Sequence, residues 1–176
     1  MVARQTATWP HPFPEAEALR RIERVREANA AGRSWQLAVA LKRRPEVLIG
    51  LVGLHPVAAD GALELGYMLA VEHQGYGIMT EAVRAIATAA FRFTGVRVVR
   101  GMSGLSNHAS RRVMEKAGFV HAGRTKRDAP ARGGAVPCDA LELTRAHWRG
   151  QRTAAIKPLR ETSRSPEIEM PCGRAA

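Results

Sequence analysis

Apolar and polar positions follow two different periods along the chain. In "EAEALRRIERVREANAAG", Leu19, Ile22 and Val25 recur at helical spacing with Glu and Arg between them. Pro14 suits the opening turn and Gly32 the stop, so the pattern predicts a first helix. "SWQLAVAL" then alternates, with Trp35, Leu37, Val39 and Leu41 on one face of a strand. After the turn "KRRPE", "VLIGLVGLHPV" reads as a second strand, in which Gly50 and Gly53 allow a bulge or close packing. "AADGA" turns into a third strand, "ALELGYMLA". The three predict an antiparallel meander. Beyond "EHQGYG" the helical period returns, with Met79, Val83, Ile86, Ala87, Ala90 and Phe91 on one predicted buried face. A strand "VRVVRGM" follows, then a helix "SNHASRRVMEKAG" that Ser106 or Asn107 can cap and Gly118 can close. "FVHAGRTKRD" reads as a strand, "APARGGAVP" as a flexible loop and "CDALELTRAHW" as the last strand. After Trp148 periodicity stops. The pattern therefore predicts one domain over 1–149 and a flexible basic tail over 150–176. The element order is that of an α+β domain with a right-handed strand–helix–strand crossover at its centre.

Composition narrows the function classes. The chain has 176 residues, 45% of them apolar, enough for its own core. Its net charge of +11 suits an anionic partner such as nucleic acid, a membrane surface or a phosphorylated cofactor. Aromatics are only 5%, which weighs against a nucleic-acid partner that stacks bases. No run reaches the ~18–20 apolar residues of a membrane span, and the N-terminus has no apolar leader region. Cys138 and Cys172 have no metal spacing, so the expectation is a reduced, cytoplasmic protein without metal or disulfide.

The stretch "EHQGYGIMTEA" carries the first candidate chemistry. Gly75 and Gly77 sit between a strand and a helix, where bare backbone N–H groups and the helix dipole can hold a phosphate. An ordinary turn explains the same residues as well. The dinucleotide fingerprint fails, because Thr80 stands where its third glycine is needed. No G-K-[ST] or H-E-x-x-H occurs, and "GMSGL" has Leu105 where a nucleophile elbow needs glycine.

Taken with "N-x-x-S-x-R-x-x-E-K-x-G-F" from Asn107 to Phe119, "LGYMLAVEHQGYGIMTEA" resembles the GCN5-related N-acetyltransferases (GNAT), most closely the RimJ/RimL type. The resemblance runs from Trp35 to Trp148. It implies a mixed, mostly antiparallel central sheet with helices on both faces and acetyl-CoA in a V between two splayed strands. Gln74, Gly75, Tyr76, Gly77, Ile78 and Met79 would cradle the pyrophosphate. Tyr67, Met68 and Leu69 would pair with the pantetheine arm, and a backbone N–H there would polarise the thioester carbonyl. Asn107 would bond the arm near the sulfur, and Arg112, with Arg111 and Lys116, would meet the 3′-phosphate.

The resemblance also implies direct attack of an amine on the thioester. Many members place a tyrosine seven residues after the asparagine to protonate the thiolate, but here that residue is Met114. Ser110 matches the serine of the RimL-like branch; its alternative reading is a helix residue bonded to its own cap. Glu64 is the candidate base, with a solvated strand carboxylate as its alternative, and His108 is a weaker choice. The family's later carboxylate position has Asp128 and Ala129 with no glutamate. The expected partners are acetyl-CoA and an amine acceptor: a ribosomal or other protein N-terminus first, a polyamine or aminoglycoside second. A non-catalytic acyl-CoA-binding relic and a basic ribosome-binding module are the rivals from other classes. Chains of this branch usually place a strand and a helix before the segment matching "LRRIERV", whereas Met1 here falls almost at that segment. The expectation is an incomplete acceptor wall, from a truncated chain, from one that starts later than its natural start, or completed by a partner subunit of a homodimer.

Overall fold

A computed structural model describes residues 9, 12–57 and 60–155. The chain runs α1 (Glu15–Ala30), β1 (Trp35–Val39), β2 (Gly50–Pro56), β3 (Leu63–Leu69), α2 (Ile78–Phe93), β4 (Val98–Gly104), α3 (His108–Lys116), β5 (Val120–Ala129), β6 (Gly134–Thr144) and α4 (Arg145–Ala155). The six strands form one sheet in the order β1-β2-β3-β4-β6-β5. β3 and β4 are parallel and the other neighbours antiparallel, so the meander and the central crossover stand as predicted.

The β3–β4 pairing is short. It covers Leu63–Val99, Glu64–Arg100 and Leu65–Gly101 and then ends, while β3 continues to Leu69 and β4 to Gly104. From Gly66 onward β3 therefore presents a backbone edge without a strand partner on the β4 side. This opening is the V into which the site is built.

The core lies on the sheet face covered by α2 and α3. All six residues expected on α2's inner face are buried, and they pack with Val52, Leu54, Leu65, Leu69, Val99, Leu141 and Leu143. Met114 of α3 lies against Gly101, where a β-carbon would collide with its sulfur. The C-terminal end of α2 is closed by Arg145, whose guanidinium donates to the carbonyls of Phe91 (2.5 Å), Thr94 (2.6 Å) and Val96 (2.9 Å). That arrangement satisfies acceptors the last turn cannot pair itself.

The opposite face is covered by α1, and more thinly. No residue of α1 is buried, and Leu19 and Ile22 are more than half exposed. Their helical spacing marks an apolar stripe that nothing among the described residues covers. α1 is tied to the edge strand instead by Asn29, whose amide bonds both the N–H (3.0 Å) and the carbonyl (2.8 Å) of Gln36.

Two expectations at the C-terminal end change. "APARGGAVP" is not a loop throughout: β6 begins at Gly134, after a short turn over Pro130–Arg132. Pro137 sits in β6 just past Cys138, the last residue paired with β4, where a missing N–H costs the sheet least. "RAHW" is not strand, and residues 150–155 are not tail. They belong to α4, whose start is capped by Thr144 Oγ1 accepting from His147 N at 3.1 Å. The rest of the expected tail, 156–176, and Cys172 with it, lie outside the described residues.

Candidate active site

The loop between β3 and α2 is fixed by three features. Gly75 and Gly77 have φ of +86° and +81°, a left-handed conformation that L side chains adopt only under strain. A β-carbon at either position would meet open space, so the glycines serve the backbone path and leave the volume beyond it clear. The Gln74 amide donates to Leu69 O at 3.0 Å, clamping the loop to the end of β3. Gly77 is the N-cap of α2, so the free N–H groups of the helix's first turn open onto that clear volume.

A groove of ≈ 570 Å³ lies in front of this turn, between β3 and α3. Tyr67, Met68, Leu69, Gln74, Gly75, Gly77, Ile78, Met79, Asn107, Ser110 and Arg112 all line it, as expected from the sequence. Tyr76 does not: its side chain is 78% exposed and points away, so only its backbone remains as a contribution to the loop. Residues not singled out for the groove include Val71, His73, Thr80, Ala109 and Val113. Thr80 had a readable signal, because it stands in the first turn of a helix whose N-terminus opens on the groove. Lys116 and Arg112 give the α3 side its positive charge. Arg111 is drawn off by Glu115 (2.8 Å) and Asp139 (3.1 Å). Burial opposes the charge on Asp139, yet its hydrogen bond with His121 and the Arg111 guanidinium hold its carboxyl below the usual range. His108 is exposed and does not line the groove.

α3 contributes its cap and one hydroxyl. Asn107 Oδ1 accepts from Ser110 N at 3.1 Å, so the asparagine caps the helix. The Ser110 hydroxyl bonds elsewhere, 2.9 Å from Tyr67 Oη. That phenol also donates to the Ser110 carbonyl at 2.9 Å. Burial pushes the Tyr67 pKa up to about 12, with the Ser110 bond pulling the other way, so Tyr67 stays a proton donor at neutral pH. Met114 is 1% exposed and belongs to the core.

A second cavity of ≈ 340 Å³ lies on the α1 face and contains Glu64, His55, Gln36, Arg21, Trp9 and Arg127. Glu64 Oε1 is 2.6 Å from Arg127 Nη2, an ion pair that brings β5 back to β3. His55 stands opposite Glu64 on β2. Burial holds its imidazole below the usual range, Glu64 acting against this and the charges of Arg127 and Arg21 with it, so His55 is neutral at pH 7. Tyr67 and Met68 line both this cavity and the groove. The two spaces thus flank the same stretch of β3, just past its last pairing with β4. Among the described residues, no group of three His, Cys, Asp or Glu side chains is placed to hold a metal, and no helix is long and apolar enough to cross a membrane.

The glycine turn at the start of α2, the splayed β3–β4 pair and the two cavities beside it make up the candidate site. Residues 1–120 match the acetyltransferase (GNAT) domain family, and the chain belongs to that family. It is 29% identical over 106 residues to YdaF of Bacillus subtilis (strain 168), named as a ribosomal N-acetyltransferase, covering 60% of this chain and 58% of that one. The chain thus spans less than two-thirds of the length of this curated relative. Among solved structures, the ribosomal-protein-S5-alanine acetyltransferase of Vibrio fischeri shares the fold with a TM-score of 0.70 at 21% identity, over 83% of this chain and 81% of that one. The microcin C7 self-immunity acetyltransferase MccE, solved with acetyl-CoA and AMP, gives 0.71 at 18%, over 81% and 78%.

Proposed function

We propose that the protein transfers an acetyl group from acetyl-CoA to a protein N-terminal amine. The observation that carries this reading is that the groove and the α1-face cavity share Tyr67 and Met68 in their walls. A thioester lying in the groove would be reachable there from the α1 face. The first turn of α2 would take the pyrophosphate, and Arg112 and Lys116 the 3′-phosphate. The unpaired backbone of β3 would hold the pantetheine arm and offer an N–H to the thioester oxygen. The amine nitrogen would bond the acetyl carbon as the C–S bond breaks, leaving a thiolate on the α3 side beside Ser110 and a proton on the α1 side. The name of YdaF points to the same acceptor class.

Two physical arguments favour a terminal α-amine over a polyamine or aminoglycoside. Glu64 is occupied by Arg127, so the site favours an amine that is already partly neutral. At about pH 7.5 roughly a third of α-amines are neutral, against about one lysine-type amine in a thousand. The cavity also places Arg21 and Arg127 against the single carboxylate of Glu64, which disfavours a polycation. Neutral His55 is the nearby group able to take the remaining proton, with Glu64 as the weaker alternative.

The test is free-thiol release from acetyl-CoA with a peptide panel, spermidine and an aminoglycoside. Peptides with free N-termini should react, and their N-acetylated counterparts should not. Turnover of the polycations alone would move the protein to a small-molecule acetyltransferase. Stabilisation by acetyl-CoA without turnover of any amine would make it an acyl-CoA-binding relic.

A further inference from the structure

The Tyr67–Ser110 contact joins residues 43 apart in sequence and spans the groove from β3 to α3. The phenol has one proton and two acceptors within 2.9 Å, the Ser110 carbonyl and the Ser110 hydroxyl. Two arrangements therefore exist without moving a heavy atom. In the first, Tyr67 donates to the carbonyl and the Ser110 hydroxyl donates to Tyr67. In the second, Tyr67 donates to the Ser110 hydroxyl, whose own proton is then free to point into the groove. Only the second suits a negatively charged atom lying beside Ser110. We propose that Tyr67 is a positioning residue that switches the Ser110 hydroxyl from a resting bond to a hydrogen-bond donor for the departing CoA thiolate.

Three observations support this and rest on the acetyl-CoA reading above. Tyr67 lines both cavities, so it stands where the reacting sulfur must pass. Met114, the α3 residue at the position where a donor would otherwise be sought, is buried against Gly101 and has no proton to offer. Tyr67 keeps its own proton well above neutral pH, so it can polarise Ser110 without ionising. A hydroxyl that accepts a hydrogen bond becomes a better donor, so the phenol strengthens the bond Ser110 makes onward. No proton leaves the pair: the thiolate is stabilised by hydrogen bonding and takes its proton from solvent.

The experiment needs no acceptor. CoA and desulfo-CoA are titrated calorimetrically into the wild type, Tyr67→Phe, Ser110→Ala and the double variant. The thiol of bound CoA is titrated by its ultraviolet thiolate absorbance. The wild type should lower the bound thiol's pKa by about one unit relative to free CoA, a tenfold preference for thiolate. Each single variant should abolish that shift, and the double variant should do no more than either. Desulfo-CoA, which lacks the sulfur, gives each variant its own baseline for what the substitution does to cofactor binding. A Tyr67→Phe protein that titrates like the wild type, or single effects that simply add in the double variant, would overturn the proposal. Should Tyr67→Phe fail to fold, Ser110→Thr decides: it restores a hydroxyl and should recover the shift that Ser110→Ala loses, and no recovery sinks the idea. Failure of the wild type to bind either ligand overturns the acetyl-CoA reading itself, a result distinguishable from the others.

Discussion

The two sides of the sheet are built to different standards. On one, α2 buries six side chains, its C-terminal end is closed by Arg145 and its entry loop is clamped by Gln74. On the other, α1 buries none, and the neighbouring cavity is organised by the Glu64–Arg127 ion pair and by Arg21 stacked 4.3 Å over Trp9. The contrast teaches a division of labour. On the proposed function, a cofactor of constant shape would lie against the better-packed side, and the acceptor against contacts that rearrange cheaply, because ion pairs at partly exposed positions contribute little to stability.

The comparison can be broken or sharpened in order of expected effect. Phe91→Ala, inside α2, should destabilise the fold by about 3–5 kcal/mol in chemical denaturation. A loss below about 1 kcal/mol would mean the α2 face is not the main core. Gly77→Glu should weaken CoA binding by roughly a hundredfold, since it combines left-handed strain of ~1–2 kcal/mol with a negative charge facing the phosphates. Calorimetry showing wild-type affinity would remove the loop from the site. Tyr67 makes stability depend on alkaline pH. Its folded pKa is raised, so unfolded phenols ionise first, and the stabilisation present below pH 10 is lost as pH climbs toward about 12. Tyr67→Phe should flatten that decline in denaturation midpoints measured across this window, and an unchanged slope would contradict the burial of the phenol. Smallest of all, Ile22→Ser on the exposed stripe of α1 should change stability by no more than about 0.5 kcal/mol. A larger loss would show that something covers α1 in solution.

The same helical spacing reads correctly in α2 and misleads in α1. Periodicity reveals that an apolar stripe exists, and Val83, Ile86 and Phe91 have the strands of the meander to meet. Leu19 and Ile22 have no such surface among the described residues. The groove residues were legible because most lie in two short stretches, the loop before α2 and the start of α3. The side-chain pairings were not, because they are distant in sequence: Glu64 meets Arg127 across 63 residues on the α1 side, and Tyr67 meets Ser110 across 43 in the groove. At the C-terminus the apolar residues Leu141, Leu143 and Trp148 look like one continuing strand. The cap at Thr144 that divides them is a single hydroxyl, visible only once the chain has turned.

The amide of Asn29 has a consequence beyond anchoring α1. By bonding both polar backbone groups of Gln36, one side chain stands in for a neighbouring strand near the start of β1. A sheet edge left bare is a template on which other extended chains can grow into ribbons and fibres. Here that growth meets an occupied rung. A second extended chain would have to evict Asn29 before it could extend the sheet at that point.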